Sequence, residues 1–553
     1  MRRAAIILAV LTLISLTVVF ALLGTGGGGP SRSSAVPNNG TGAASGGSGA
    51  PGRPQNSSRR AKNNSRPANN GSGAPDTPPR SSGAAAGTSG SPSESPNGSG
   101  GSSGSAAPTQ ISGTSTFTTG IADSVYYQPQ AGKAWLGRTI ASGAQFILLP
   151  VSWATVAPQP PPAGTNPSDP DNPGYKWGSL DTTVRAAESR GLRVVLSLTN
   201  APPWADGPGR PANAAPGTWR PNVTAAAAFV EAVARRYSGS FNSGSGRLPR
   251  VRYFQAWTEP NLPNHLTPQW VRAGRHWVAE SPIIYRSLLN ATYRVVKAVH
   301  PSNLVITAGT APYGDPPGGE RMRPVLFWED VLCLTGRLTP ARCPNPAHFD
   351  ILAHDSYSFA GPLRRAYWAN DVTLPDMWKL TRIVAAAERT GRALPRIHHP
   401  VWVTEFGWNS RPPTRHGVPV RARARWIDEA FYELWQQGIS TATWNLIVDQ
   451  RPRAGMATWQ SGLYYDDGRR KPDLQAFRFP FVAEPASKGS AEVWGVSPQA
   501  GMVRVEERQS GRWTTALRVR VPAHGVIDRT IAVSGHPMLR AVVGSDASLG
   551  WRP

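Results

Sequence analysis

Val251-Arg252-Tyr253-Phe254-Gln255-Ala256-Trp257-Thr258-Glu259-Pro260-Asn261 is an apolar, β-prone run that stops on a glutamate. A second stretch, Val401-Trp402-Val403-Thr404-Glu405-Phe406-Gly407-Trp408, has the same design. Working outward, further runs of this kind centre on Gly120-Ile121-Ala122, Phe146-Ile147-Leu148-Leu149, Val194-Val195-Leu196-Ser197-Leu198, Leu304-Val305-Ile306-Thr307, Phe349-Asp350-Ile351-Leu352-Ala353 and Thr441-Ala442-Thr443-Trp444. They are short and rich in β-branched residues, as strands buried on both faces are. Amphipathic stretches lie between them, including residues 180–190, 224–237, 282–299, 375–390 and 421–437, and Gly191, Gly391 and Gly438 fit as helix stops. Eight β-α units over about 360 residues predict an α/β fold, a (β/α)8 TIM barrel across residues 111–480. No glycine-rich phosphate or dinucleotide loop follows the first run.

After residue 480 the periodicity changes to two. Ala491-Glu492-Val493-Trp494, Met502-Val503-Arg504-Val505, Leu517-Arg518-Val519-Arg520-Val521 and Ile531-Ala532-Val533 alternate in and out between Gly, Ser and Pro turns. Residues 481–553 are therefore expected to form a small, sandwich-like all-β accessory domain, packed on the barrel or binding sugar.

At the other end, residues 4–23 are uncharged and apolar behind Arg2 and Arg3. At about 1.5 Å per residue they span a bilayer core of about 30 Å, so residues 1–23 read as an apolar helix, a signal anchor or a signal peptide. Residues 24–110 are almost wholly Gly, Ser, Ala, Pro, Asn and Arg. So little apolar surface cannot offset roughly 1–2 kcal/mol of backbone entropy per residue, and a disordered spacer is expected. The chain is expected at the cell membrane with an extracellular catalytic domain, or secreted if the segment is cleaved.

The net charge of +24 is carried mainly by arginine, since seven of the 58 basic residues are Lys. These residues are spread along the chain without a nucleic-acid motif, so a nucleic-acid partner is not expected. Arg53, Arg59, Arg60, Lys62 and Arg66 of the spacer could instead meet an anionic wall polymer or membrane surface. In an exported chain the only two cysteines, Cys333 and Cys343, are expected to pair as a disulfide rather than hold a metal.

Paired carboxylates suit glycoside hydrolysis. One protonates the leaving oxygen, and the other meets the positive charge that develops at the anomeric carbon. In a parallel barrel the reactive side chains gather at the carboxyl ends of the strands, where Glu259 and Glu405 fall. With Trp257 through Asn261, Thr404 through Trp408 and Thr443-Trp444-Asn445, residues 119–480 resemble the retaining glycoside hydrolases of clan A, in motif texture those of families 39 and 5.

That resemblance implies Glu259 as general acid, then base, and Glu405 as nucleophile, with no metal or organic cofactor. It puts Trp444 at the floor of the cleaved-sugar subsite, although a buried tryptophan can simply fill the barrel. His354 and Tyr357, in His354-Asp355-Ser356-Tyr357, resemble a His-x-Tyr element with one residue added, which orients the nucleophile or binds substrate. Thr258 stands where the family has an asparagine for the sugar 2-hydroxyl, and a hydroxyl reaches less far than an amide. Thr258, Asn261 and Trp204 complete the expected substrate contacts. Arg411, Arg415, Arg451 and Arg453, after the last two strands, could grip an acidic glycan. The implied partner is an oligo- or polysaccharide. The alternative is a catalytically silent surface protein that binds glycan on the same barrel.

Overall fold

The computed structural model describes residues 115–452, 457–487 and 489–553. The expected apolar helix, the spacer and Arg453 lie outside the described residues.

Eight parallel strands form one sheet: β1 (Thr118–Ala122), β2 (Phe146–Ser152), β3 (Arg193–Thr199), β4 (Tyr253–Ala256), β5 (Leu304–Thr307), β6 (Leu352–His354), β7 (Val401–Phe406) and β8 (Thr441–Asn445). Their spatial order is β5-β4-β3-β2-β1-β8-β7-β6. The two ends meet through the parallel bridge between Ile306 and Ile351, so the sheet curls into a barrel. Helices follow in turn: α1 (Ala131–Ala141), α2 (Gly178–Glu188), α3 (Val223–Arg236), α4 (Ser281–Val299), α5 (Pro324–Val331), α6 (Trp378–Thr390), α7 (Val420–Gln436) and the short α8 (Leu474–Arg478).

Two apolar layers hold this ring. Phe146, Leu148, Val195, Ile306, Ile351 and Ala353 fill the lumen with Tyr253 and Trp402. Gly120 is required there, because a Cβ on it would stand 2.2 Å from the Phe146 ring. The alternate residues of the same strands, such as Ile147, Leu196, Val305 and Val403, pack outward with the helices.

β6 is shorter than the run Phe349–Ala353 suggested. The cause is Asp350, whose carboxylate accepts from the Val305 N–H at 2.7 Å and from Lys297 Nζ at 2.8 Å. The side chain thus takes a donor that the ladder would otherwise use. An antiparallel hairpin not expected from the sequence, Trp270–Ala273 with His276–Ala279, is inserted between β4 and α4.

The tail makes two antiparallel sheets. One contains β9 (Phe481–Pro485), β10 (Ser490–Val496) and β13 (Val526–Ala532); the other contains β11 (Gly501–Gln509), β12 (Arg512–Val521), β14 (Met538–Val543) and β15 (Asp546–Ala547). They pack on the barrel. Trp494 is buried against Phe117, Tyr432 and Trp435, and the Phe117 N–H donates to His524 O at 3.1 Å. Cys333 and Cys343 are joined by a disulfide in the segment after α5.

Candidate active site

The backbone beyond β4 is unusual. Trp257 has φ 81° and Glu259 has φ 36°, a left-handed region costly for side chains with a Cβ. Trp257 is tied by its indole N–H to His265 O at 3.0 Å, and the Glu259 N–H donates to Gly309 O at 2.8 Å. These bonds from neighbouring segments hold Glu259 three residues past the strand.

Glu405 lies inside β7, and a register shift aims it. Val403 pairs with Ala442 and Phe406 with Trp444, so Thr404 and Glu405 together oppose one residue of β8. Such a bulge cancels the usual alternation. Val403 and Phe406 both pack in the outer layer, while Thr404 and Glu405 both turn to the interior groups described next.

Tyr357 donates its hydroxyl hydrogen to Glu405 Oε2 at 3.0 Å and accepts from Asn445 Nδ2 at 2.7 Å. Asn445, the last residue of β8, thereby orients the tyrosine that orients the nucleophile candidate. Thr404 Oγ1 donates to Asp355 Oδ1 at 2.7 Å. His265 Nε2 stands 3.6 Å from Glu259 Oε2.

Burial pushes Glu405 up to about 6, although the Tyr357 hydrogen bond pulls it back. Glu259 rises further, to about 8, through burial first and then the negative charge of Glu405. Asp355 is driven well above the usual carboxylate range by burial, then by Glu405 and Glu259. Burial also lowers His265 to about 4, so its ring beside Glu259 is neutral at ordinary pH. Two acids with separated proton affinities therefore share one site, both half-buried and reachable, with a third, fully buried carboxyl beside them.

Several residues expected at the substrate lie elsewhere. Trp444 is fully buried in the outer layer, against Phe406 at 5.2 Å, Trp408 and Phe477, with its N–H on Ser461 O. It is in register with Phe406, so strand alternation turns it away from the lumen and turns Asn445 inward. His354 is also fully buried. Its Nε2 faces Val372 O at 2.9 Å and must carry the proton, leaving Nδ1 to accept from Thr310 Oγ1 at 2.8 Å. Both ring nitrogens are thus spent on packing. Asn261 uses its amide on Ala311 and Met322, tethering two loops.

The remaining expected contacts divide. Trp204 is half-buried, edge-on to Trp153, and donates to Ala157 O. Thr258 is half-buried beside Glu259 and makes no side-chain hydrogen bond among the described residues. Arg411, Arg415 and Arg451 are exposed, and none is among the charges that move the three carboxyls.

Asn445, Asp355 and His265 join the site without having been expected there from the sequence. Asn445 was legible in principle, because it stands one position past Trp444 on a strand of period two. A buried ion network behind the rim was less so. Arg423 of α7 pairs with Asp473 and donates to the carbonyls of Trp408, Gln460 and Gly462. Lys471 pairs with Asp449 at 2.6 Å and reaches Ser410 Oγ and Gln460 O. Together they brace the loops after β7 and β8.

The fold has similar solved structures at low identity. A family 39 glycoside hydrolase from the gut symbiont Bacteroides cellulosilyticus WH2 aligns with TM-score 0.46 and 17% identity, over 77% of this chain and 83% of that one. A glucosidase from Croceicoccus marinus aligns with TM-score 0.44 and 14% identity, over 77% and 98%. Thermotoga maritima Cel5A, in complex with mannotriose, aligns with TM-score 0.38 and 16% identity, over 65% and 96%. No family model matches the chain, and no curated protein sequence matches it.

Proposed function

We propose that this chain is a retaining glycoside hydrolase that cleaves O-glycosidic bonds of an extracellular or cell-wall glycan by double displacement. The observation that carries this reading is the pair Glu259 and Glu405, half-buried at the carboxyl ends of β4 and β7, with proton affinities set apart at about 8 and about 6. Between those values Glu259 holds a proton while Glu405 is ionised, the starting state that the chemistry needs.

Glu405 attacks the anomeric carbon as Glu259 gives its proton to the departing oxygen, so the C–O bond to the leaving group breaks and a glycosyl ester forms. That ester neutralises Glu405, which removes the charge that raised Glu259, so Glu259 stays ionised after giving up its proton and is free to act as the base. Glu259 then takes a proton from water, whose oxygen displaces Glu405 and restores both groups. The Tyr357 hydrogen bond, oriented by Asn445, supports this assignment by favouring the anionic form of Glu405. An exported setting is supported by the apolar segment at residues 4–23, the polar spacer behind it and the disulfide.

The test compares wild type and Glu405→Gln on a broad panel of 4-nitrophenyl glycosides, with the product anomer followed by NMR. Turnover with retained configuration, lost in Glu405→Gln, is expected. An inverted product would defeat double displacement. Glycan binding without turnover in wild type would favour the silent binding protein instead.

A further inference from the structure

The large apolar side chains that stand out in solvent are unevenly placed. Ile140, Ile283, Ile397 and Met502 are scattered singly, which needs no explanation, and Trp277 and Val278 share the hairpin strand His276–Ala279. Phe359, Leu363, Tyr367 and Trp368 all fall in one loop between β6 and α6, at 39%, 60%, 86% and 52% exposure. That loop opens on the carboxyl side of the barrel, and Phe359 is only two residues beyond Tyr357, whose hydroxyl holds Glu405.

The side chains of this loop connect with those of the loop after β5. Phe359 stacks on Tyr313 with ring centroids 5.8 Å apart and planes 18° from parallel. The next residue, Gly314, donates its N–H to Asp371 Oδ1 at 3.1 Å, and Arg323 Nε lies 3.8 Å from the same oxygen. The Arg323 guanidinium then covers the Trp368 ring at 4.8 Å, and Tyr367 meets Trp368 edge-on at 4.8 Å. The exposed rings of this loop are therefore tied, through Tyr313, the buried Asp371 and Arg323, into one braced patch that begins two residues beyond Tyr357. Buried ties hold it from beneath: Ser358 Oγ donates to Gly361 O, Trp408 donates to Ser358 O, and Thr373 and Asp376 form a capping box.

We infer that Phe359, Trp368 and Tyr367, backed by Tyr313 and the largely buried Arg323, form a binding ridge for a glycan chain, taking sugar units beyond the pair joined by the cleaved bond. Pyranose rings present flat CH faces, and exposed aromatic rings braced from behind are a surface that grips such faces without needing charge. The occupant is specified by proximity, because Phe359 lies two residues beyond Tyr357, whose hydroxyl holds Glu405, and the other exposed rings follow in the same loop on the carboxyl side of the barrel. The inference rests on the reading of Glu259 and Glu405 as a glycoside-cleaving pair, and it deepens that reading from a glycoside to a polymeric substrate.

The test uses the full chain carrying Glu405→Gln, titrated calorimetrically with cello-, manno- and xylo-oligosaccharides of two and six units. At least one hexasaccharide is expected to bind about tenfold or more tighter than its disaccharide, on the scale of one or two stacked rings. Adding Tyr367→Ala and Trp368→Ala should erase most of that difference, and Phe359→Ser, at the opposite end of the ridge, should reduce it independently. Affinity should change little between about 0.05 and 0.5 M salt, since stacking is not screened as ion pairing is.

The ridge is refuted if no hexasaccharide is preferred, if the preference survives these substitutions, or if it collapses with salt. Length preference without any turnover by wild type would remove the catalytic reading and leave the ridge. Turnover without length preference would do the reverse.

Discussion

Glu405 is held between opposing influences, and this makes a pH profile informative. Its burial favours the acid form and Tyr357 favours the anion, with the balance at about 6. Activity requires that anion and a protonated Glu259, so kcat/KM should fall as pH drops through about 6 and again as it rises through about 8. Tyr357→Phe removes the donor that lowers Glu405, so the acid limb should move upward while the basic limb stays near Glu259's value. An acid limb that does not move would disconnect Tyr357 from the nucleophile. Legibility is uneven among single residues. The glutamates were visible as breaks in apolar runs. Asp355 was not, because its neighbours Thr404 and Gly309 come from β7 and from the loop after β5; a Cβ on Gly309 would stand 2.2 Å from its Oδ1.

The strands were legible because each is an apolar run buried on two faces, and the helices because their buried residues recur with the helical period and end at residues such as Gly391, with φ 66°. The β7 bulge was not legible, since an extra residue in one strand leaves no mark on the strand's own composition. It decides that Glu405 faces inward, and the register of β8 decides that Trp444 faces outward.

The Arg423–Asp473 pair belongs to the same scale, since it ties α7 to the loops after β7 and β8. Arg423→Met would strand a buried Asp473 carboxylate, and a loss of about 3–5 kcal/mol is expected in urea unfolding. Adding Asp473→Leu should recover much of it, because no buried charge is then left unpaired. A double variant as unstable as the single one would show that the carbonyl contacts of Arg423, rather than its charge pairing, hold the rim.

Across the whole molecule, the tail behaves as part of the structure that carries the site. Trp494 packs on Phe117 before β1 and on Tyr432 and Trp435 of α7, while Arg478 of α8 grips Asp546 with two hydrogen bonds. Truncation after residue 480 would uncover those rings and strip the backbone partner of Phe117. A fall in Tm on the order of 10 °C, or loss of soluble expression, is expected. An unchanged Tm would make residues 481–553 an independent appendage.

By itself the sequence determined the repeating β-α order, the antiparallel tail and the two glutamates at strand ends, because these depend on local periodicity and on where apolar runs break. The tertiary structure alone decided which way each side chain faces. Register, a one-residue bulge and hydrogen bonds between distant loops set those directions, drawing Asn445 and Asp355 to Glu405 beside the anticipated Tyr357 and sending Trp444, His354 and Asn261 into packing. Such choices depend on pairs of residues far apart in the chain, whose contacts no single segment encodes.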